Sequence, residues 1–291
     1  MKQQIEAFIG YLQEVKQSSL NTIRAYRNDL DKLQAYLNQQ GIENISKITE
    51  TSLNSYVLSL ERDGLSPSTV SRHIASMKAF LLFLLRKGSI KGDPSERIKA
   101  PKVVKKQPHI LDEDSILALL NQPDINTAKG IRDKAMLELM YATGMKVSEL
   151  INVKLIDINL LGKYLTCGDK IERSIPFGSA AKYALKSYID IRETISDKKN
   201  NEYLFLNNQG QQLSRQGFWK ILKGYARELG IDDINPNMIR HSFASHMIDN
   251  GADIGVVQKF LGHTDISTTQ LYLAHNHQNI REIYTNTHPR A

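Results

Sequence analysis

One cysteine, Cys167, in 291 residues excludes an internal disulfide and any metal site built from several thiolates, and it fits a reducing compartment. Long apolar runs are also missing. The longest, at residues 80–85, falls far short of the ~20 residues that a membrane span needs. The opening MKQQIEAFIGYLQ is amphipathic and lacks the continuous apolar core of a signal peptide, so a cytoplasmic chain is expected. No internal repeat and no low-complexity tract interrupts the sequence. His275, His277 and His288 lie in the tail without a carboxylate or cysteine at matching spacing, which argues against a metal there. What remains is 41% hydrophobic and 24% charged, the balance of an ordinary globular protein, and its length suits two domains.

The charge is distributed unevenly. Residues 1–110 carry 17 Lys+Arg against 10 Asp+Glu, and residues 111–291 carry 21 of each. The net charge of +7 therefore belongs wholly to residues 1–110. A polyanion suits such a surface, because each neutralised phosphate releases counterions. Charge alone does not separate that reading from a basic face that merely keeps the protein soluble.

Apolar spacing at Ile5, Phe8, Ile9 and Leu12, then at Ile23, Tyr26, Leu30, Leu33 and Leu37, predicts two amphipathic helices separated by a polar break at Ser18 and Ser19. Leu53, Tyr56, Val57 and Leu60 give a third, ending near Gly64. Ser66 caps a fourth that has Pro67 in its first turn and Val70, Ile74, Met77, Leu81 and Leu84 on its buried side. Its other side offers Ser68, Arg72, Ser76 and Lys78, short hydroxyl and basic groups suited to phosphates and base edges. The segment APKVVKKQPHI has two prolines and no helical period, and it marks a basic linker containing Lys105 and Lys106. Beyond it, Asp112 caps a helix, and another helix from about Ile131 stops at Gly144. Residues 164–167 and 171–175 flank Gly168 and Asp169 as a hairpin, with Lys170 closing the turn. Residues 180–195 read as a helix, 203–206 as a short strand, and 214–229 as a helix presenting Arg215, Gln216 and Lys220 near its start.

Residues 235–272 concentrate the chemistry. Asn235 and Pro236 open a helix that carries Arg240, whose guanidinium can fork onto two phosphate oxygens at an end already favourable to anions. Gly262 ends the following helix, so His263 stands just outside it. Tyr272 comes nine residues later with a hydroxyl available as a nucleophile. Taken singly these are weak signals in a chain with 12 tyrosines and 8 histidines. His241 and His246 share the helix of Arg240 and are expected to pack or to position it.

The strings ATGMKVSEL, IRHSFASHMIDNGADIGVVQKFLGHTDISTTQLY and HPRA closely resemble the tyrosine recombinase family, in particular its Xer type. So do SLNTIRAYRNDL and LSPSTVSRHIASMKAFLLFLLRKG early in the chain and SRQGFWKILKGYA later; the resemblance covers nearly the full length. It implies a mainly α fold, with an N-terminal four-helix core-binding (SAM-like) domain over 1–100, a basic linker over 101–110, and an α-rich catalytic domain with a small β-sheet over 111–291. It also implies a site-specific recombinase acting on double-stranded DNA as a homo- or hetero-tetramer, hence nucleoid-associated. The two domains would clamp the duplex, and a tail at residues 280–284 would dock on a neighbouring protomer. Cleavage would pass through a 3′-phosphotyrosyl intermediate that needs no cofactor and no metal.

Carried onto this chain, the resemblance makes Tyr272 the nucleophile, Arg240 the second arginine and His263 a hydrogen-bonding and proton-handling group. Lys170 becomes the general acid to the leaving oxygen. Two positions depart from the pattern. Lys146 stands where the family has its first arginine, and Asn237 where it has a histidine three before Arg240. Lysine keeps the charge but loses the planar fork, and a lost transition-state contact typically costs about 3–4 kcal/mol. Asparagine donates a hydrogen bond but moves no proton. Arg132 offers either a substitute cation or a surface residue at a helix start. The competing expectation is a catalytically weakened DNA-binding protein or the partner subunit of a mixed tetramer. A type IB topoisomerase fits less well, given the Xer-like first domain and tail.

Overall fold

In a computed structural model, residues 1–102, 109–168, 172–195, 201–262, 284–285 and 288–290 are described. Contacts divide the chain into two units, Met1–Lys106 and Gln107–Ala291, a division that falls inside the 101–110 segment.

The first unit is built from helices α1 (Lys2–Glu14), α2 (Leu20–Gln39), α3 (Glu50–Arg62) and α4 (Pro67–Arg86). Each start after the first is fixed by a side chain that accepts an otherwise orphaned amide: Ser19 from Thr22, Thr49 from Ser52, and Ser66 from Thr69. Ile5, Phe8, Leu30, Leu33, Leu53, Phe80 and Leu81 are almost fully buried between the helices, and each such side chain contributes roughly 1.5–3 kcal/mol. Ser76, expected on the exposed face of α4, instead lies in this interior with its hydroxyl donating to the His73 carbonyl at 2.9 Å. The reason is helical drift. At about 100° per residue, two steps of four turn the face by roughly 80°, which carries position 76 from the side of Ser68 round to that of His73.

The second unit centres on α6 (Ala128–Thr143), buried on every side, as a helix must be when its neighbours surround it. Around it lie α5 (Glu113–Asn121), α7 (Val147–Asn152), α8 (Ser179–Ile191), α9 (Arg215–Glu228), α10 (Pro236–Asp249) and α11 (Ile254–Leu261). The antiparallel sheet runs β1 (Ile158–Asn159), β2 (Tyr164–Cys167), β3 (Arg173–Pro176), in register Ile158 to Leu165 and Leu165 to Ile175. Leu165 and Ile175 thereby point into the core. Residues 203–206, read as a strand, form only isolated bridges, Lys154 with Tyr203 and Leu206 with Gln212. Two single bridges satisfy these groups without a continuous partner strand.

Arg132 is neither a surface residue nor a spare cation. It is 3% exposed and saturated: Nε reaches Asp133 at 2.9 Å, and Nη1 reaches the Leu206 carbonyl at 3.0 Å and Asn208 at 3.1 Å. Burial on α6 demands that pairing.

The tail closes on the same core. The Tyr284 hydroxyl accepts the Gly178 amide at 3.1 Å, and Arg290 pairs with the buried Glu138. His288 stacks on Tyr284 at 4.9 Å and 10° and lies 5.0 Å from the Tyr141 ring. Tyr284, the described end of the segment expected to reach a neighbour, thus occupies its own chain's core; Ile280 lies outside the described residues. Burial pushes the His288 imidazole down to about 4, against ~6.5 when solvated. Between those values the solvated ring takes up a proton that the docked ring refuses. Docking is therefore fully stable above pH ~6.5 and weakens as pH falls toward 4, by up to about 3 kcal/mol. Thermal midpoints between pH 7 and 5 will fall more steeply for the native chain than for His288→Phe, which keeps the stack without the titration; equal slopes would contradict this assignment.

Candidate active site

Arg240 sits in the second turn of α10, after Asn235 at the N-cap and Pro236 in the first turn. It is 5% exposed. Nη1 donates to the Gly144 carbonyl at 2.8 Å and Nη2 to the Leu261 carbonyl at 2.6 Å. These carbonyls belong to two helix C-termini, those of α6 and α11, where partial negative charge collects. Both helices close on a left-handed glycine, Gly144 at φ 59° and Gly262 at φ 61°. A Cβ on Gly144 would lie 2.3 Å from the Phe243 ring, and one on Gly262 would lie 2.8 Å from the Arg173 guanidinium. Only glycine lets the two chain ends approach this closely. Burial holds the Arg240 pKa below its ordinary value, against the pull of Glu149; arginine stays charged regardless.

Directly after Gly144 and Met145, Lys146 forms the N-cap of α7 and is exposed. Its backbone amide donates to Glu149 Oε2 at 2.8 Å, one half of a capping box. Both Glu149 oxygens also take the Arg173 fork, at 2.8 and 2.9 Å, and Arg173 Nε donates to the Phe260 carbonyl at 2.9 Å. Burial raises the Glu149 carboxyl, but the Arg173 fork and the Lys146 amide outweigh it and leave the pKa below the usual carboxylate range. One connected frame thus joins the end of α6, the start of α7, β3, α10 and the end of α11. Cys167, paired with Arg173 across the sheet, is pushed by burial up to about 11. It stays a thiol near neutrality and supplies no thiolate nucleophile.

Asn237, also predicted for this site, is exposed in the first turn of α10. Lys170, His263 and Tyr272 lie outside the described residues, as do Lys105, Lys106, His275 and His277. On α9, Arg215, Gln216 and Lys220 are exposed, and Ser214 caps the helix by accepting the Gly217 amide. Gln212 ties the preceding loop to the end of α7, through the Ile151 carbonyl at 2.9 Å and Asn152 at 2.7 Å. In the other unit Arg72 is half-exposed, and the Lys78 ammonium donates to the Glu96 carbonyl at 3.3 Å. His246 packs against Tyr141, Nδ1 to hydroxyl 2.9 Å, whereas His241 is exposed. Among the described residues no group of three or more His, Cys, Asp or Glu side chains could hold a metal ion, and no helix is long and apolar enough to cross a membrane. Sequence reasoning missed Arg173 and Glu149. The one available signal was a glutamate three residues after Lys146, at capping-box spacing.

Residues 109–279 match the phage integrase family, and residues 5–88 match the phage integrase N-terminal SAM-like domain. The chain belongs to the phage integrase family. It is 42% identical over 294 residues to the tyrosine recombinase XerD of Oceanobacillus iheyensis, covering 99% of this chain and 98% of that one. It is 39% identical over 298 residues to XerD of Listeria innocua, covering both chains fully. Among solved structures it resembles the XerA recombinase, with 25% identity, a TM-score of 0.51 and 100% and 99% coverage. It also shares the fold of the XerH site-specific recombinase bound to its difH substrate, with 19% identity, a TM-score of 0.69 and coverage of 96% and 83%. As a tyrosine recombinase of this family, the chain has the SAM-like first unit and the α-rich catalytic unit with a small sheet that its motifs implied.

Proposed function

We propose that this tyrosine recombinase cuts and rejoins double-stranded DNA at a specific site through a 3′-phosphotyrosyl bond, with Tyr272 as nucleophile and Arg240 as the principal phosphate clamp. The observation that carries this reading is the placement of Arg240. Its guanidinium is buried and fixed by two backbone carbonyls, so its remaining N–H groups are aimed before any phosphate arrives. A preorganised cation of this kind stabilises charge that develops on the non-bridging oxygens without a reorganisation cost at the moment of reaction. The carbonyls it holds stand next to the ATGMK segment on one side and the LGH segment on the other. Lys146 and His263 therefore join the chain within two residues of that frame.

In the reaction, the Tyr272 oxygen attacks phosphorus, and the P–O bond to the 5′ oxygen breaks. That leaving oxygen takes a proton from Lys170, and His263 handles the proton lost by the tyrosine. The phosphodiester energy is kept in the new bond, so a partner strand's 5′-hydroxyl reseals it by the reverse step, with no cofactor consumed. Lys146 supplies charge in place of the first arginine, and Asn237 supplies a hydrogen bond but no proton. Arg72, Lys78, Lys105 and Lys106, with Arg215, Gln216 and Lys220, bind the duplex. A homo- or hetero-tetramer on two sites brings four such centres together, the described tail contacts being exchanged between protomers, and the protein works in the cytoplasm at the nucleoid.

The test is a nicked suicide duplex selected from a random pool by the chain itself. A denaturation-resistant adduct is expected, and peptide mass spectrometry will map the phosphodeoxynucleotide to the peptide containing Tyr272. No adduct at any protein concentration, or an adduct elsewhere, would sink the catalytic reading and leave a DNA-binding protein.

A further inference from the structure

One carboxylate in the first unit is buried with an arginine, a histidine and a serine around it. Asp29, on α2, is 2% exposed in an interior made mostly of aliphatic and aromatic side chains. Asp29 Oδ1 meets Arg72 Nη2 at 3.0 Å and His73 Nε2 at 3.3 Å, and Oδ2 takes a longer contact from the Ser76 hydroxyl at 3.4 Å. His73 is itself 2% exposed, and its Nδ1 lies 3.0 Å from the Tyr56 hydroxyl. Burial, with the positive charge of Arg72, pushes the His73 imidazole down to about 4. The ring is therefore neutral near pH 7. Its Nε2 faces Asp29 Oδ1, and its Nδ1 shares a hydrogen bond with the Tyr56 hydroxyl. Three helices thus supply a chain, Tyr56 to His73 to Asp29, that ends on one edge of Arg72.

Arg72 differs from every other member. Its side chain is 43% exposed while its Nη2 sits against a buried carboxylate, so the side chain reaches from the interior to the surface. Fixing a charged group in this way costs desolvation that a leucine at position 29 would not incur. The arrangement gains from it a fork whose direction is set in advance, and arginine is the side chain that can use both edges at once.

We propose that Asp29 is a positioning residue for DNA recognition: with His73 and Tyr56 behind it, it fixes Arg72 so that the outer edge of the guanidinium meets paired acceptor atoms of the duplex. The acceptors are a guanine edge in the major groove or two phosphate oxygens; both present the acceptor pair that the fork matches. The inference rests on the DNA-binding reading of the first unit, and the experiment separates the two.

Binding is measured by titrating the full chain, and Asp29→Asn, Arg72→Ala and the double variant, with two probes: a random-sequence duplex and the duplex that the native chain enriches from a random pool. Asp29→Asn keeps the shape and removes the charge. It is expected to weaken binding to the enriched duplex about tenfold, Arg72→Ala at least as much, and the double variant no more than Arg72→Ala alone. Arg72→Lys, which keeps the charge but cannot serve both edges, is expected to behave like Arg72→Ala, and it carries the test should the asparagine variant fold poorly. A loss confined to the enriched duplex identifies a base edge as the acceptor. An equal loss on both probes, with a salt slope lower by about one, identifies phosphate. The proposal is overturned if Asp29→Asn binds like the native chain, if its loss persists undiminished in the Arg72→Ala background, or if Arg72→Lys retains native affinity. If the native chain binds neither duplex, the DNA-binding reading fails first and independently.

Discussion

Arg240→Ala will slow single-turnover cleavage of a nicked duplex by at least about a hundred- to a thousandfold, the usual loss on removing one transition-state donor, and will also lower the thermal midpoint of the protein. The second effect comes from the two carbonyls that Arg240 holds. Without it, the Gly144 and Leu261 carbonyls are left at the buried meeting point of two helix ends, and an unsatisfied buried acceptor costs roughly 1–3 kcal/mol. The two effects can be separated. Guanidinium ion added to the alanine variant can occupy the vacated space and restore charge and donors together, so partial rescue of cleavage is expected, accompanied by a rise in the thermal midpoint toward the native value. Arg240→Lys gives a complementary reading, because a single ammonium cannot span both carbonyls and still face a phosphate; it should lose most of the cleavage rate. A folded Arg240→Ala chain cleaving at the native rate would show that this guanidinium is only a structural clamp.

The helical frame was legible wherever the signals are local. Ser66 with Pro67, Asp112, and the glycines 144 and 262 each mark a helix end through chemistry confined to a few residues, and each stands where the sequence places it. Periodicity also read α1 to α4 correctly, but failed at Ser76, where a face extrapolated over two turns had rotated into the core. What was not legible is non-local. The Arg173–Glu149 fork joins residues 24 apart on a strand and a helix, and Arg240 reaches a carbonyl 96 residues away. No spacing rule encodes such pairs, and nothing local in IERSIPFG marks its arginine for burial. The same holds for Arg132, whose burial reflects the crowding around α6 and not its own neighbours in sequence. In the candidate site, Arg240 was singled out by its place at a helix start, and Lys146 and Asn237 through the family resemblance. The structure added the reason that the first is rigid: two helix C-termini converge on it.

Lys146→Arg will accelerate cleavage by about a hundredfold, with little change in thermal midpoint. The position accommodates the change at no packing cost, since the Lys146 side chain is exposed and only its backbone takes part in the local frame. A new guanidinium here also avoids capture by the nearest carboxylate. Both oxygens of Glu149 are already held by the Arg173 fork, and the pKa of Glu149 is depressed, so that pair stays intact. The arginine is thereby left to address an incoming phosphate with two parallel donors where the lysine offers a point charge. Restoring one such contact recovers most of the roughly 3–4 kcal/mol that its loss typically costs; part is already supplied by the lysine charge, which places the expected gain at the lower end. Asn237→His should add a smaller, separate gain that appears as a new pH dependence near neutrality, because a histidine there can move a proton and asparagine cannot. Single-turnover rates of the two variants and their combination decide the matter. An unchanged or slower rate for Lys146→Arg, in a chain that still binds the duplex, would mean that the lysine is not a weakened clamp and that the rate is set elsewhere in the site.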